Sequence, residues 1–378
     1  MQSLMTMAIY SLPVIVPIAA ADLGIAPESV GFFVACIYGI SMFSGLFSGD
    51  LVDRLGATGV FRLMLGLTAL AVSMLLFSTP WAILSMVLIL GLASGPMNPT
   101  GSHVLSKIAP VDRRALVFSI KQCATPAGGV LAGALLPPLM LAFGWQKTVL
   151  LVPVLAVLAI VAAGWIGLGR RDAQRAIAPV SAAKTWRGIV SVVRDPTVAR
   201  LTAMAFCLAM AQMALTTYLV VYVWREAGFS EQRAGLLFAA LHISGITSRI
   251  VLGSIADRLL SAGSILIGIC LTLGVALVAI AFFSPAWHLF WIGLVVVVAG
   301  GTGNGWVGLY FSELARLAPA DQVAQLTGAS QFYTYLGLLL GPLLFGVLLA
   351  WSASYRFAFI VFAAAVMATG LTLLMQRK

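Results

Sequence analysis

Charge is what this sequence has least of. Asp, Glu, Lys and Arg together make up 9% of its 378 residues, whereas a water-soluble domain needs about a quarter of its residues charged to cover its surface. A soluble enzyme of this length is therefore excluded. So is a disordered chain, because 61% of the residues are hydrophobic. The four cysteines, Cys36, Cys123, Cys207 and Cys270, all fall inside apolar runs, where they pack as small hydrophobes and form no disulfide framework. Three scattered histidines, His103, His242 and His288, supply neither a metal cluster nor the reactive constellation of an intramembrane enzyme, so no metal and no cofactor are expected. There is no Gly-x-x-x-x-Gly-Lys-Ser/Thr loop for nucleotide phosphates. No Lys or Arg precedes Arg54, so the opening apolar run, although it ends in Ala19-Ala20-Ala21, reads as a first membrane helix and not as a secretory signal.

Long hydrophobic runs are abundant. A bilayer core about 30 Å thick takes roughly 20 apolar residues per helical crossing, and windows of that length give twelve candidate spans. They lie at 3–21, 30–50, 59–78, 81–106, 114–143, 146–169, 197–224, 232–256, 262–284, 286–312, 322–350 and 354–375. Between the sixth and seventh lies the basic stretch 170–196, with Arg170, Arg171, Arg175, Lys184, Arg187 and Arg194. The expected organisation is an all-α membrane protein of twelve transmembrane helices in two pseudo-symmetric six-helix bundles, residues 1–169 and 197–378, joined by the linker 170–196.

Lys and Arg are retained in cytoplasmic loops. With the N-terminus inside, sixteen of the 22 cations fall on inner loops and termini, and four (Lys147, Arg225, Arg233 and Arg356) fall outside. The net charge of +10 thus reads as topology, with both termini cytoplasmic and anionic lipid headgroups as incidental partners. Nucleic acid is not expected as one. The membrane is the plasma membrane, or the inner membrane of a bacterium, and the protein is read as a monomer.

The halves repeat. Asp22 to Gly31 matches Glu226 to Gly235 at an offset of 204, as does Gly49-x-x-x-Asp53-Arg54 with Gly253-x-x-x-Asp257-Arg258. The register then slips to 209, where Ala109-Pro110-x-Asp112 matches Ala318-Pro319-x-Asp321, Gln122 matches Gln331, and Gly128 matches Gly337. Duplicated halves of this kind usually enclose a substrate site near the membrane midplane.

Gly49-Asp-Leu-Val-Asp53-Arg54-Leu-Gly56, between spans two and three, resembles the signature loop of the major facilitator superfamily, and Gly253-Ser-Ile-Ala-Asp257-Arg258 resembles a weaker second copy. The resemblance covers the whole chain and implies a secondary transporter that works by alternating access. It implies that Gly49, Asp53, Arg54, Gly56, Gly253, Asp257 and Arg258 form the gating motif. The carboxylate at a helix end accepts from a neighbouring N-terminus and from arginine. Family members usually carry basic residues after the second glycine, where this chain has Ala57-Thr58, so a looser ionic latch is expected.

Two cations lie well inside spans. Lys121 is seven residues past Arg114 and Arg249 eight residues before Asp257, so each sits about 10–12 Å from a cytoplasmic end at 1.5 Å per residue. An embedded cation costs on the order of 2.5–3.5 kcal/mol to insert and generally faces a cavity, a partner or a pathway. The sequence places no Asp or Glu at the same depth, Glu313 and Asp50 both lying near inner helix ends, so an anionic substrate is expected to supply the balancing charge. In the superfamily helices five and eight face each other between the halves, so the resemblance implies that Lys121 and Arg249 converge on one anion. Arg249, four residues before Gly253, also resembles the anion-binding arginine of nitrate/nitrite and carboxylate carriers. Its counterpart Gly45 departs from the nitrate pattern, which favours carboxylates, bound by guanidinium through a two-pronged contact. Snorkelling toward the inner surface is the structural alternative for both cations.

His242, seven residues before Arg249 on the same face, is a candidate proton relay or substrate ligand, and packing is its alternative. Gln122 and Gln331 either orient a ligand or link helices. Asn98, His103, Tyr10, Gln212, Tyr218, Tyr222, Asn304, Tyr333 and Tyr335 are further lining candidates, of which about half should be packing residues. The expected cargo is a small organic anion, a mono- or dicarboxylate, moved by proton symport or anion exchange. Thr125-Pro126-x-Gly128-Gly129 loosely resembles the glycine-proline signature of drug/proton antiporters, so proton-coupled efflux of drugs or metabolites is the alternative. Tight helix contact is the simpler meaning of such small residues.

Overall fold

A computed structural model describes residues 1–97, 100, 101, 104, 120–165, 190, 192–317 and 323–375. Side chains outside the description include Gly49, Asp53, Asp257, Arg258 and Gln331, and the candidates Asn98 and His103 lie outside it entirely. The described residues are helical with short connections. In chain order the long helices are α1 (Gln2–Ala19), α2 (Val30–Ser44), α3 (Ser48–Ser73), α4 (Pro80–Ser94), α5 (Ala124–Phe143), α6 (Leu151–Trp165), α7 (Pro196–Arg225), α8 (Glu231–Arg258), α9 (Ala262–Ala281), α10 (Leu289–Leu317), α11 (Val323–Ser352) and α12 (Tyr355–Met375). Eleven of these segments are long and apolar enough to cross a membrane, and Pro80–Ser94 is a shorter apolar helix. In lipid a helix is the economical choice, because it satisfies its own backbone.

Local chemistry fixes the helix starts. Pro80 and Pro196 occupy first-turn positions where a missing N–H costs nothing. The preceding side chains cap the orphan donors, Thr79 accepting from Ala82 N and Asp195 from Thr197 N and Val198 N. Ser230 and Ser261 do the same for α8 and α9.

The chain divides into two compact units, Met1–Val180 and Ser181–Lys378. In the first unit α1 packs on α5, α2 on α4, and α3 on α4 and α6. In the second unit α7 packs on α11, α8 on α10, and α9 on α10 and α12. The same pairings thus occur twice. Within each unit they are also what two inverted three-helix repeats produce, since exchanging the triplets maps the first pairing onto the second.

Glycine contacts repeat residue by residue. A Cβ at Gly128 would stand 2.5 Å from Ser3 O, 2.7 Å from Thr6 Cβ and 2.7 Å from Met7 N; at Gly337 it would stand 2.6 Å from Phe206 O, 3.0 Å from Ala209 Cβ and 3.4 Å from Met210 N. Gly91 closes on the carbonyl of Ile37 in α2, and Gly300 on that of Leu241 in α8. The register slip lies in one connection: residues 282–288 between α9 and α10 number seven, where the first unit, whose α3 runs on into a 3-10 turn over Met74–Phe77, has only 78–79. Surface loops absorb such insertions without disturbing the packed helices.

One difference from the sequence reading concerns the signature loop. It is not open loop: α3 already runs through Ser48–Leu55 and is interrupted at Gly56, where φ is 67° and ψ 161°. Such a positive φ is readily available only to glycine. The second copy is likewise helical over Gly253–Arg258 and leaves the helix at Leu259. The two copies thus share a helical backbone up to the arginine and differ beyond it, Gly56 standing where the second copy has Leu260.

Candidate functional site

Arg249 lies in α8 of the second unit, half-buried, with Nε–H donating to the main-chain carbonyl of Asn304 in α10 at 2.9 Å. The Asn304 side chain is itself fixed at both ends. Its Nδ2 donates to Gly300 O at 3.1 Å, and its Oδ1 accepts from Gln212 Nε2 of α7 at 3.1 Å. Gln212 Oε1 in turn accepts from Trp306 Nε1 at 3.0 Å, the indole N–H being shared with Gly303 O at 3.0 Å. Gln212, Asn304 and Trp306 are all buried. Three helices are thereby tied at the level of one arginine. Gly245, one turn before Arg249, is where Asn304 packs: a Cβ there would lie 2.6 Å from Asn304 Cβ.

The first unit serves as an internal control. Its matching positions, by the contacts above, are Ile9 for Gln212, Gly45 for Arg249, Gly95 for Asn304 and Met97 for Trp306. Gly45 and Gly95 touch directly, a Cβ at Gly45 standing 3.2 Å from Gly95 O. The same helix packing is achieved there with no side-chain amide, indole or guanidinium.

Lys121, just ahead of α5 in the first unit, is half-buried, and its stem lies over Gly101, where a Cβ would stand 3.2 Å from Cε and 3.7 Å from Nζ. At the matching place in the second unit Tyr310 replaces the glycine and Ser330 the lysine. The Tyr310 hydroxyl bonds to Ser330 and, at 3.2 Å, to Thr202. Lys121 and Arg249 therefore stand at positions that are not equivalent in the repeat.

His242 is fully buried, edge-on to Phe238 at 4.6 Å between ring centroids. The space over Gly245, three residues further along, is filled by Asn304. Gln122 is half-buried beside Lys121. Arg54 of the gating motif is exposed and Gly56 buried at its break. Around Gly253 a Cβ would meet nothing within 4 Å, so helix contact among the described residues of its unit does not require that glycine. Glu313, near the C-terminal end of α10, is 5% exposed and held at both oxygens by Arg316, at 2.7 and 3.0 Å.

Several lining candidates are packing groups. Tyr218 OH donates to Pro342 O at 3.2 Å and Tyr222 OH to Ile280 O at 2.7 Å, both deep in the second unit. The helix-five motif resolves into helix contact, with Gly128 pressed on α1 and Thr125 Oγ1 accepting from Gln2 Nε2 at 3.1 Å. Trp306 was not singled out from sequence. Its signal is Gly300-Gly301-x-Gly303-Asn304-Gly305-Trp306, a glycine-rich segment that carries polar side chains.

The profile of the Major Facilitator Superfamily matches residues 1–342. The chain is 22% identical over 378 aligned residues to the hexuronate transporter of Bacillus subtilis (strain 168), covering 93% of this chain and 86% of that one. It is 22% identical over 345 residues to the gentisate transporter of Corynebacterium glutamicum, covering 87% and 74%. Among solved structures, a POT family transporter in complex with 5-aminolevulinic acid superposes with a TM-score of 0.79 at 14% identity, over 99% of this chain and 94% of that one, which is a likeness of fold. A profile matched across both units, relatives that are transporters and a shared helical architecture lead to one conclusion: the chain belongs to the Major Facilitator Superfamily and is a multi-pass membrane transporter.

Proposed function

We propose that this transporter carries a small organic anion with a carboxylate group, and that Arg249 is the residue that binds it. The observation that carries the reading is an arginine far inside a membrane helix whose Nε is held by a main-chain carbonyl. An embedded guanidinium costs free energy that a structural role rarely repays, and a fixed one matches a carboxylate in a two-pronged, charge-assisted contact. Hexuronate and gentisate, named for two relatives, are both hydroxylated carboxylates, which favours the same cargo class here. Lys121 is the second cation proposed to bind the anion, and Gln122 and Gln331 are the accompanying amides. Transport proceeds by alternating access, with the Gly49–Gly56 and Gly253–Arg258 segments as gates. Proton symport, with His242 as a proton carrier, and anion exchange are the two coupling modes. Both termini lie on the cytoplasmic side of the membrane.

The test is uptake of radiolabelled gentisate and glucuronate by purified protein in liposomes. Saturable flux is expected, with Arg249→Gln and Lys121→Gln each reducing it at least tenfold, since a charge-assisted hydrogen bond contributes about 1.5–3 kcal/mol. Undiminished flux in both variants rejects the binding site. Extrusion of hydrophobic cations without any anion flux replaces the reading with drug efflux.

A further inference from the structure

Buried polar side chains cost free energy unless their hydrogen bonds are made, and a network of them specifies one geometry when it is satisfied. The second unit contains such a network at the level of Arg249. The first unit packs the same helix pairs with isoleucine, two glycines and methionine at the matching positions. The first unit ties its α2–α4 pair through the Ser41 and Ser44 hydroxyls on the Gly91 carbonyl. Helix association there therefore does not call for an amide, indole or guanidinium, and their presence in one repeat needs another reason.

We infer that Gln212 is a positioning residue for Arg249, acting through Asn304, and that the Gln212–Asn304–Trp306 network exists to set the direction of one guanidinium. The path is short. Trp306 Nε1–H fixes Gln212 Oε1, Gln212 Nε2–H fixes Asn304 Oδ1, and Asn304 presents its own carbonyl to Arg249 Nε–H. The segment being held is glycine-rich, with Gly300, Gly301, Gly303, Gly305 and Gly308 around Asn304. Glycine in a helix leaves the backbone loose, so the carbonyl that grips Arg249 would wander without the side-chain clamp. Gly300 and Gly305 also let α10 approach α8 closely, a Cβ at Gly305 standing 2.5 Å from Ser248 Oγ. That approach brings the Asn304 carbonyl within reach of a side chain on α8. The network thus determines how the carboxylate of the cargo is met, and this inference rests on the binding role proposed for Arg249.

The experiment uses the full chain with Gln212→Ile, which installs the first unit's own residue, and with Trp306→Phe, which removes only the indole N–H. Arg249 is probed directly by the rate of phenylglyoxal labelling, followed by peptide mass, with no substrate present. Gentisate counterflow in liposomes then gives KM and maximal rate. Expected for Gln212→Ile are an unchanged melting temperature within a few degrees, a several-fold faster labelling of Arg249, and a KM raised about tenfold with little change in maximal rate. Trp306→Phe should shift each readout in the same direction by less. In an Arg249→Gln background, Gln212→Ile should add nothing to KM. Unchanged labelling of Arg249 in Gln212→Ile overturns the inference, as does a loss of maximal rate and melting temperature at constant KM. Faster labelling in a protein whose parent moves no anion leaves the positioning role standing and removes the proposed cargo.

Discussion

At the residue scale the two halves have exchanged a large and a small side chain. In the first unit Ser41 of α2 reaches the carbonyl of Gly91, with Oγ 3.2 Å away, and faces Gly95. In the second, the small residue is Gly245 on α8 and the polar one is Asn304 on α10, whose Nδ2 reaches the corresponding Gly300 carbonyl. Either way the same carbonyl gains a side-chain donor, but only the second arrangement leaves a place for an arginine one turn further along. The close fit gives a prediction with its own control. Gly245→Ala must push Asn304 aside and should destabilise by about 1–3 kcal/mol, as overpacked cores do. Gly253→Ala meets open space and should be neutral or stabilising by up to about 1 kcal/mol, because alanine is the better helix former. Melting temperatures of the two variants in detergent compare them directly. Which of Gln212, Tyr218, Tyr222 and Asn304 serve the site could not be read from their spacing, because each is a polar residue on a buried face and the partner sits far away in sequence. Gln212 and Asn304 bond each other across 92 positions, whereas Tyr218 and Tyr222 bond main-chain oxygens.

At the element scale the helix pairs are held by matched close approaches. In membranes, packing of small residues replaces the hydrophobic effect as the source of helix association, and Gly128 and Gly337 show this at α1–α5 and α7–α11. Gly128→Val and Gly337→Val should each abolish monodisperse elution from a sizing column. Gly268→Val, with nothing within 4 Å of its Cβ position, should elute normally. The existence of the elements and the ends of some were marked in sequence, since apolar length and the Pro and Ser/Thr/Asp caps are local properties, whereas the span read as 59–78 is a helix already from Ser48. The span read as 197–224 is a helix over Pro196–Arg225, and that read as 354–375 is Tyr355–Met375. The signature loop was less legible, since its spacing alone did not reveal that both copies are helical up to the arginine, nor the break at Gly56.

At the scale of the whole molecule, the proposed direction rests on the cation distribution, while exposed aromatics mark where helices meet an interface. Trp81, Trp291 and Trp351 are more than half exposed. They stand at the ends of α4, α10 and α11 next to the cation-poor loops, as interfacial tryptophans do. Single cysteines placed in a background without the four native ones test the topology. The exposed position 233 (Arg233→Cys) should react with an impermeant maleimide on intact cells. The exposed position 54 (Arg54→Cys) should react only after permeabilisation. Reaction at position 54 but not 233 on intact cells would reverse the proposed orientation, and reaction at both would overturn a single orientation.

Local properties alone decided much of this protein: twelve apolar runs, a duplicated order, an uneven distribution of cations, and two positive side chains in the apolar spans. Hydrophobic length and charge act through the solvent each residue meets, so they can be counted along the chain. Only the tertiary structure decided that Arg249 leans on the Asn304 carbonyl, that Asn304 is clamped from α7, and that the first half keeps glycine and isoleucine where the second builds this network. Those are contacts between helices whose positions are set by mutual packing, and packing has no expression in the order of residues along one strand of sequence.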